Sequence, residues 1–99
     1  MQFKRSVLWA LIAILTLSAC HQSPEAREAA FLDKGKKAFQ KKDYAVAILQ
    51  FKNASAAKPW DAEPYYQLGL SYKAEGDFKS AADGFRKAIE ANPGTRPRN

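Results

Sequence analysis

Apolar and small residues in the second half of the chain recur at the three- and four-residue spacings of a helix. Tyr65, Leu68 and Tyr72 mark one such stripe, since positions i, i+3 and i+7 share a helix face. Gly76 and Asp77 interrupt it, because glycine favours helix ends and aspartate caps the start of the next helix. A second stripe follows, made of Phe78, Ala81, Ala82, Phe85, Ala88 and Ile89. The pattern predicts two helices joined by a short turn.

The same pattern is present once more, 34 residues earlier in the chain. At this offset Gly35 corresponds to Gly69, and Phe51 corresponds to Phe85. A fixed period of this length is typical of repeat proteins, in which each repeat is one supersecondary unit. We therefore predict an all-α chain of two helical hairpins, the alternative being an ordinary small helical bundle. The other matched pairs are Asp43 with Asp77, Tyr44 with Phe78, Ala47 with Ala81, Ala54 with Ala88 and Pro59 with Pro93.

A residue able to cap a helix precedes each predicted helix. The first helix is expected from Pro24 to about Lys41, and the second ends at about Lys58. Trp60 lies in the connector that follows. We expect it to pack between the repeats, the alternative being an exposed anchor for docking. The four capping residues are Ser23, Asp43, Asp61 and Asp77.

The first 19 residues have a different character. Lys4 and Arg5 precede an apolar run over residues 6–19, which is shorter than the roughly 20 residues that a membrane-spanning helix needs. A basic start, a short apolar run and small residues at its end are typical of an export signal. Residues 1–19 are therefore interpreted as a cleaved signal peptide, a retained signal anchor being the alternative.

The end of this run, Leu17-Ser18-Ala19-Cys20, resembles the lipobox of bacterial lipoproteins. The resemblance implies cleavage before Cys20 and a diacylglyceryl group on its sulfur. Two or more acyl chains give stable membrane attachment, whereas one chain binds only marginally. In this family an Asp after the Cys favours the inner membrane, and here the residue is His21. We therefore expect the protein in the bacterial cell envelope, where a lipid anchors it to the outer membrane and it faces the periplasm.

The two hairpins resemble the tetratricopeptide repeat, or TPR. Residues 62–95 follow its pattern closely and residues 28–61 more loosely, with Lys34 and Ala38 where Leu and Tyr are expected. The resemblance implies two helix-turn-helix hairpins that form a fragment of an α–α superhelix. The predicted organisation is a signal peptide at 1–19, a lipidated Cys and linker at 20–27 with a helix start near 24, repeats at 28–61 and 62–95, and a tail at 96–99.

Proteins with TPRs bind peptides or other proteins on a concave surface lined by the first helix of each repeat. The resemblance therefore implies binding and no catalysis. A mixed apolar and basic surface of this kind suits a segment with apolar anchors and acidic character. The alternative is a plain solvated helix face. The residues carried over by position are Leu32, Lys36, Phe39, Glu63, Tyr66, Leu70 and Lys73.

The composition argues against several other classes of function. The chain has 99 residues, one Cys, one His and a net charge of +6. A chain of this size buries too little surface to enclose a substrate pocket easily, and it contains no Ser/His/Asp arrangement and no Gly-rich phosphate loop. We expect neither an enzyme nor a cofactor or metal site. Nucleic acid is not an expected partner, because an exported protein seldom meets it.

The sequence thus predicts a membrane-anchored TPR lipoprotein that acts as a non-catalytic scaffold for protein–protein interactions in the cell envelope. Two repeats leave apolar surface uncovered, since repeat arrays usually need about three units for stability. A self-assembling structural lipoprotein, and hence a homo-oligomer, is therefore one alternative. The other alternative is an assembly factor for a pilus, a secretin or an outer-membrane complex.

Overall fold

The computed structural model describes residues 22–91, and this part of the chain contains four helices and no strand. The predicted all-α fold of two helical hairpins is confirmed. The signal peptide, the lipobox with Cys20, and the segment from residue 92 onward, with Pro93 and the tail, lie outside the described residues. The helices are α1 (Pro24–Gln40), α2 (Tyr44–Ala57), α3 (Ala62–Glu75) and α4 (Phe78–Ala91).

Each helix begins where the sequence places a capping side chain. The capping oxygen accepts a hydrogen bond from a backbone N–H of the first turn, which would otherwise lack a partner. α1 begins at Pro24, so residues 24–27, assigned to the linker with a helix start near 24, are helical. The accepting residues and the donors are Ser23 and Ala26 (3.2 Å), Asp43 and Val46 (3.4 Å), Asp61 and Glu63 (3.3 Å), and Asp77 and Ser80 (3.1 Å).

The turn inside each hairpin contains one residue with left-handed backbone geometry. In the second hairpin this residue is Gly76, with φ of 85°. In the first hairpin the corresponding residue, 34 positions earlier, is Lys42, with φ of 62°. A side chain in this region costs about 1 kcal/mol relative to glycine. The first hairpin keeps the turn geometry of the second although its sequence suits that geometry less well.

Within each hairpin a phenylalanine ring fills the space that a glycine leaves open. A Cβ atom added at Gly35 would lie 2.5 Å from the ring of Phe51, and one added at Gly69 would lie 2.5 Å from the ring of Phe85. Any side chain at these two positions would force the phenylalanine ring or the helix that carries it to move. The predicted small-to-large packing is therefore present in both repeats.

The second hairpin has an additional close contact between its helices. A Cβ atom added at Gly84 would lie 2.9 Å from the backbone nitrogen of Gly69. The first hairpin has Gln50 at the position that corresponds to Gly84. Backbone atoms yield less than a side chain does, so α3 and α4 approach each other at a point that requires glycine.

The two hairpins share one core, because α3 packs against α2 as well as against α4. Leu68 of α3 belongs to the same buried cluster as Phe51 and Ile48 of α2. Tyr65 and Tyr72 of α3 pack against that cluster. α3 is therefore the first helix of the second repeat and also the cover of the first.

The expectation that Trp60 packs between the repeats is wrong. Its side chain is 62% exposed, although it lies in the connector between α2 and α3. Tyr65 secures this connector instead, since its hydroxyl donates a hydrogen bond to the carbonyl of Pro59 at 2.9 Å. The structure thus shows Trp60 to be exposed, as the alternative requires, and its role as a docking anchor stays a prediction.

Candidate interaction surface

The seven residues of the predicted concave surface, which we name the groove, lie on α1 and α3, and an ion pair joins the two helices. They are Leu32, Lys36, Phe39, Glu63, Tyr66, Leu70 and Lys73. Lys36 of α1 lies 3.2 Å from the Oε1 atom of Glu63 of α3. Gln67 donates a hydrogen bond to the same carboxylate oxygen at 3.1 Å. Both charged side chains are partly exposed, so the pair adds at most about 1 kcal/mol to stability. Its main effect is to balance the positive charge of Lys36 within the surface.

Leu32 and Phe39 are half-buried and also belong to the fold. Both pack against the core cluster of the first repeat. The ring of Phe39 meets that of Tyr44 edge to face, with 5.2 Å between the centroids, a geometry that stabilises aromatic pairs. Replacing either residue would disturb folding together with any binding, so neither is suited to a test of function.

The α3 part of the predicted groove is the more accessible part. Tyr66 is 47% exposed, and its ring lies 5.8 Å from that of Phe85. Leu70 is half-buried, and Lys73 is exposed in the last turn of the helix. These three side chains offer an aromatic anchor, an aliphatic contact and a cation along one helix.

A buried carboxyl group lies at the junction between the repeats, and the sequence did not reveal it. Glu28 is only 7% exposed, and its Oε2 atom has no hydrogen-bond partner in the structure. The pKa of Glu28 is raised to about 7, first by burial and then by the hydrogen bond to Asp61 and the charge of Asp61. The charge of Lys58 lowers this pKa and that of Glu25 raises it, both by smaller amounts. The second repeat has Ala62 at the position that corresponds to Glu28. This difference between the two repeats is the sequence feature that could have pointed to the buried carboxyl group.

We expect the stability of the protein to fall as Glu28 ionises. Its folded pKa of about 7 exceeds the ordinary value of 4.5. The contribution of the neutral Glu28 carboxyl group to stability is therefore fully present below pH 4.5, and it is lost as the pH rises towards 7 and above. Glu28→Gln should raise the free energy of unfolding at pH 8 by on the order of 1 kcal/mol and leave it unchanged at pH 4.

Denaturant unfolding at both pH values checks this expectation. Glu25→Gln is the matched control, because Glu25 is exposed in the first turn of the same helix. If stability depended on pH equally in the parent protein and in Glu28→Gln, the raised pKa would not belong to Glu28.

A small cavity of about 190 Å³ opens between α2, α3 and α4. Several polar side chains that line it have partners within the protein. Lys87 lies 3.2 Å from Asp83, and the hydroxyl of Ser55 donates to the carbonyl of Lys52 at 2.7 Å. Lys52 also lies 6.0 Å from the centroid of the Tyr72 ring. The lining residues are Lys52, Ser55, Tyr65, Leu68, Tyr72, Ser80, Asp83, Gly84 and Lys87.

Within residues 22–91, no group of three or more His, Cys, Asp or Glu residues is placed to hold a metal ion. None of the helices in that range combines the length and the apolar character needed to cross a membrane.

Comparison with known families defines the class of the second hairpin. Residues 62–95, about a third of the chain, match the tetratricopeptide repeat family model. No curated protein and no solved structure matches the chain. The second hairpin is therefore similar to a tetratricopeptide repeat, and the fold is that of TPR-like helical hairpins. Repeats of this class are typically non-catalytic modules for protein–protein interaction.

Proposed function

We propose that the protein is a non-catalytic scaffold of the bacterial cell envelope. A lipid on Cys20 holds it at the membrane, and the groove formed by α1 and α3 binds a partner protein. The observation that supports the groove most directly is the contact between Lys36 and Glu63 at 3.2 Å. This contact joins one predicted groove residue of each repeat, which supports a surface shared by α1 and α3.

The chemistry of the groove suggests the kind of segment that it binds. Tyr66 is an exposed aromatic side chain, and such residues often anchor protein interfaces. Glu63 balances the charge of Lys36, so the exposed Lys73 carries the positive character at the far end of α3. A partner segment with an apolar anchor near Tyr66 and an acidic group near Lys73 fits this arrangement.

The proposed membrane attachment rests on the lipobox resemblance. The short connection from Cys20 to the first helix sets how close the helices would lie to the membrane. Cys20 lies three residue steps before Ser23, the cap of α1. Such a connection extends to at most about 10 Å. An anchor at Cys20 would therefore keep α1 beside the lipid surface, with the helical hairpins next to the membrane.

Crosslinking in living cells tests the groove. A photoreactive amino acid at Lys36 in the full chain should give one adduct with a different protein, since Lys36 faces the surface shared by α1 and α3. Tyr66→Ala should reduce this adduct about tenfold through loss of the anchor.

The control position for the photoreactive amino acid is Leu49, which is 56% exposed on α2 and outside the predicted groove. Equal adducts from the two positions, or no adduct from Lys36, would refute the proposed groove.

Metabolic labelling with palmitate tests the anchor. The parent protein should take up label and sediment with membranes, whereas Cys20→Ser should lose both properties, because the chain has no other thiol. His21→Ala keeps the thiol and should behave like the parent. Equal labelling of the parent and Cys20→Ser would rule out lipidation at this residue.

A further inference from the structure

Four side chains of α4 form an apolar stripe that is open to solvent. Phe78 is 68% exposed and Ile89 is 42% exposed, while Ala82 is exposed and Phe85 is half-buried. Their spacing of i, i+4, i+7 and i+11 places them on one face of the helix. We name these four residues the α4 stripe. Exposed apolar surface of this kind, with charged residues beside it, often marks an interaction site.

The corresponding residues of α2 show what covers such a stripe. They are Tyr44, Ile48, Phe51 and Ser55, which we name the α2 stripe. Phe51 is fully buried and Ile48 is 8% exposed. Leu68 of α3 joins them in the core cluster, so a helix covers the α2 stripe.

In both stripes the phenylalanine packs against a glycine of the preceding helix. Phe85 lies against Gly69 as Phe51 lies against Gly35, with the same distance of 2.5 Å from the ring to an added Cβ atom. Tyr66 extends the apolar surface from Phe85 onto α3. The α4 stripe is therefore a second copy of a surface that already binds a helix within this protein.

The charges around the α4 stripe favour an acidic helix. Lys79 and Arg86 are exposed on one side of α4, and Lys73 is exposed at the end of α3. Arg86 is partly balanced by Asp83 and by Glu90 at 3.0 Å. The segment that covers the α2 stripe, residues 61–75, has three acidic residues and one lysine. A helix of similar charge fits the basic border of the α4 stripe.

A second copy of this chain fits less well. Stacking α1 of one copy on α4 of another would place Lys34 and Lys37 where α3 has Leu68 and Ser71. Both lysines are exposed, and burying their charges is costly. Pairing two α4 helices would bring Lys79 and Arg86 of both copies close together. The residues that follow α4, 92–99, have no large apolar side chain that could fill the surface.

We propose that the α4 stripe binds an amphipathic helix of another protein. That helix has acidic flanks and bulky apolar residues in the spacing of Tyr65, Leu68 and Tyr72, and it lies on α4 as α3 lies on α2. The α4 stripe adjoins the predicted groove at Tyr66 and Lys73, but its own four residues lie on α4, outside that groove. Substitutions in the stripe therefore test this site without changing a groove residue.

A labelled peptide with the sequence of residues 61–77 serves as the probe for the full chain in detergent. Fluorescence anisotropy should show saturable binding. The double variant Phe78→Glu/Ile89→Glu should weaken it at least about tenfold, because two exposed anchors are lost. Lys79→Glu should weaken it about threefold, with a smaller dependence on salt concentration.

Two matched controls accompany this measurement. Leu49→Glu replaces a side chain of similar exposure on α2 and should leave binding unchanged. A peptide with Lys at the positions of Leu68 and Ser71 should not bind. Circular dichroism and thermal unfolding should show that the α4 double variant remains folded, since both of its side chains are exposed.

Three results would overturn the proposal. Equal binding to the parent protein and the α4 double variant would mean that the peptide replaces α3 on the α2 stripe. Self-association that is lost in the double variant and unaffected by the peptide would identify a second copy as the occupant. Tighter peptide binding after removal of residues 92–99 would identify that segment as the cover.

Discussion

The fit of a phenylalanine ring against a glycine determines how each hairpin is built. Phe51 and Phe85 occupy the space left at Gly35 and Gly69, where a Cβ atom would lie 2.5 Å from the ring. This contact brings the two helices of a hairpin close together and fixes the rotation of the second helix about its axis. The apolar face of that second helix then points towards the position of the next helix. A covering helix can therefore bury that apolar face, and α3 does so for the first repeat.

Much of the fold could be predicted because its signals are local. Capping residues, the 34-residue offset and the glycine–phenylalanine pairs depend on neighbouring positions or on the repeat itself. The exposure of Trp60 and the burial of Glu28 depend on how one repeat is placed against the other, which no local pattern specifies. The positions of the groove residues could be predicted in the same local way. The pairing of Lys36 with Glu63 and the core contacts of Leu32 and Phe39 required the structure.

The protein offers two surfaces of different character. The predicted groove on α1 and α3 combines a balanced ion pair with an open segment around Tyr66 and Lys73. The α4 stripe is apolar with a basic border and repeats a surface that is filled elsewhere in the same chain. The two surfaces meet at Tyr66 and Lys73 of α3, so a partner bound at one of them would lie against a partner bound at the other. This property suits a scaffold, and a lipid anchor near α1 would confine both partners to the membrane surface.

In this fold a covering helix stabilises the second helix of a repeat. Native-state hydrogen exchange, measured residue by residue on the full chain, can test this stabilisation, since it reports the free energy of opening for each amide. We expect amides of α2, beneath α3, to exchange only through global unfolding. Amides of α4, whose stripe is open, should exchange through a partial opening of lower free energy. Equal protection of α2 and α4 would contradict the claim.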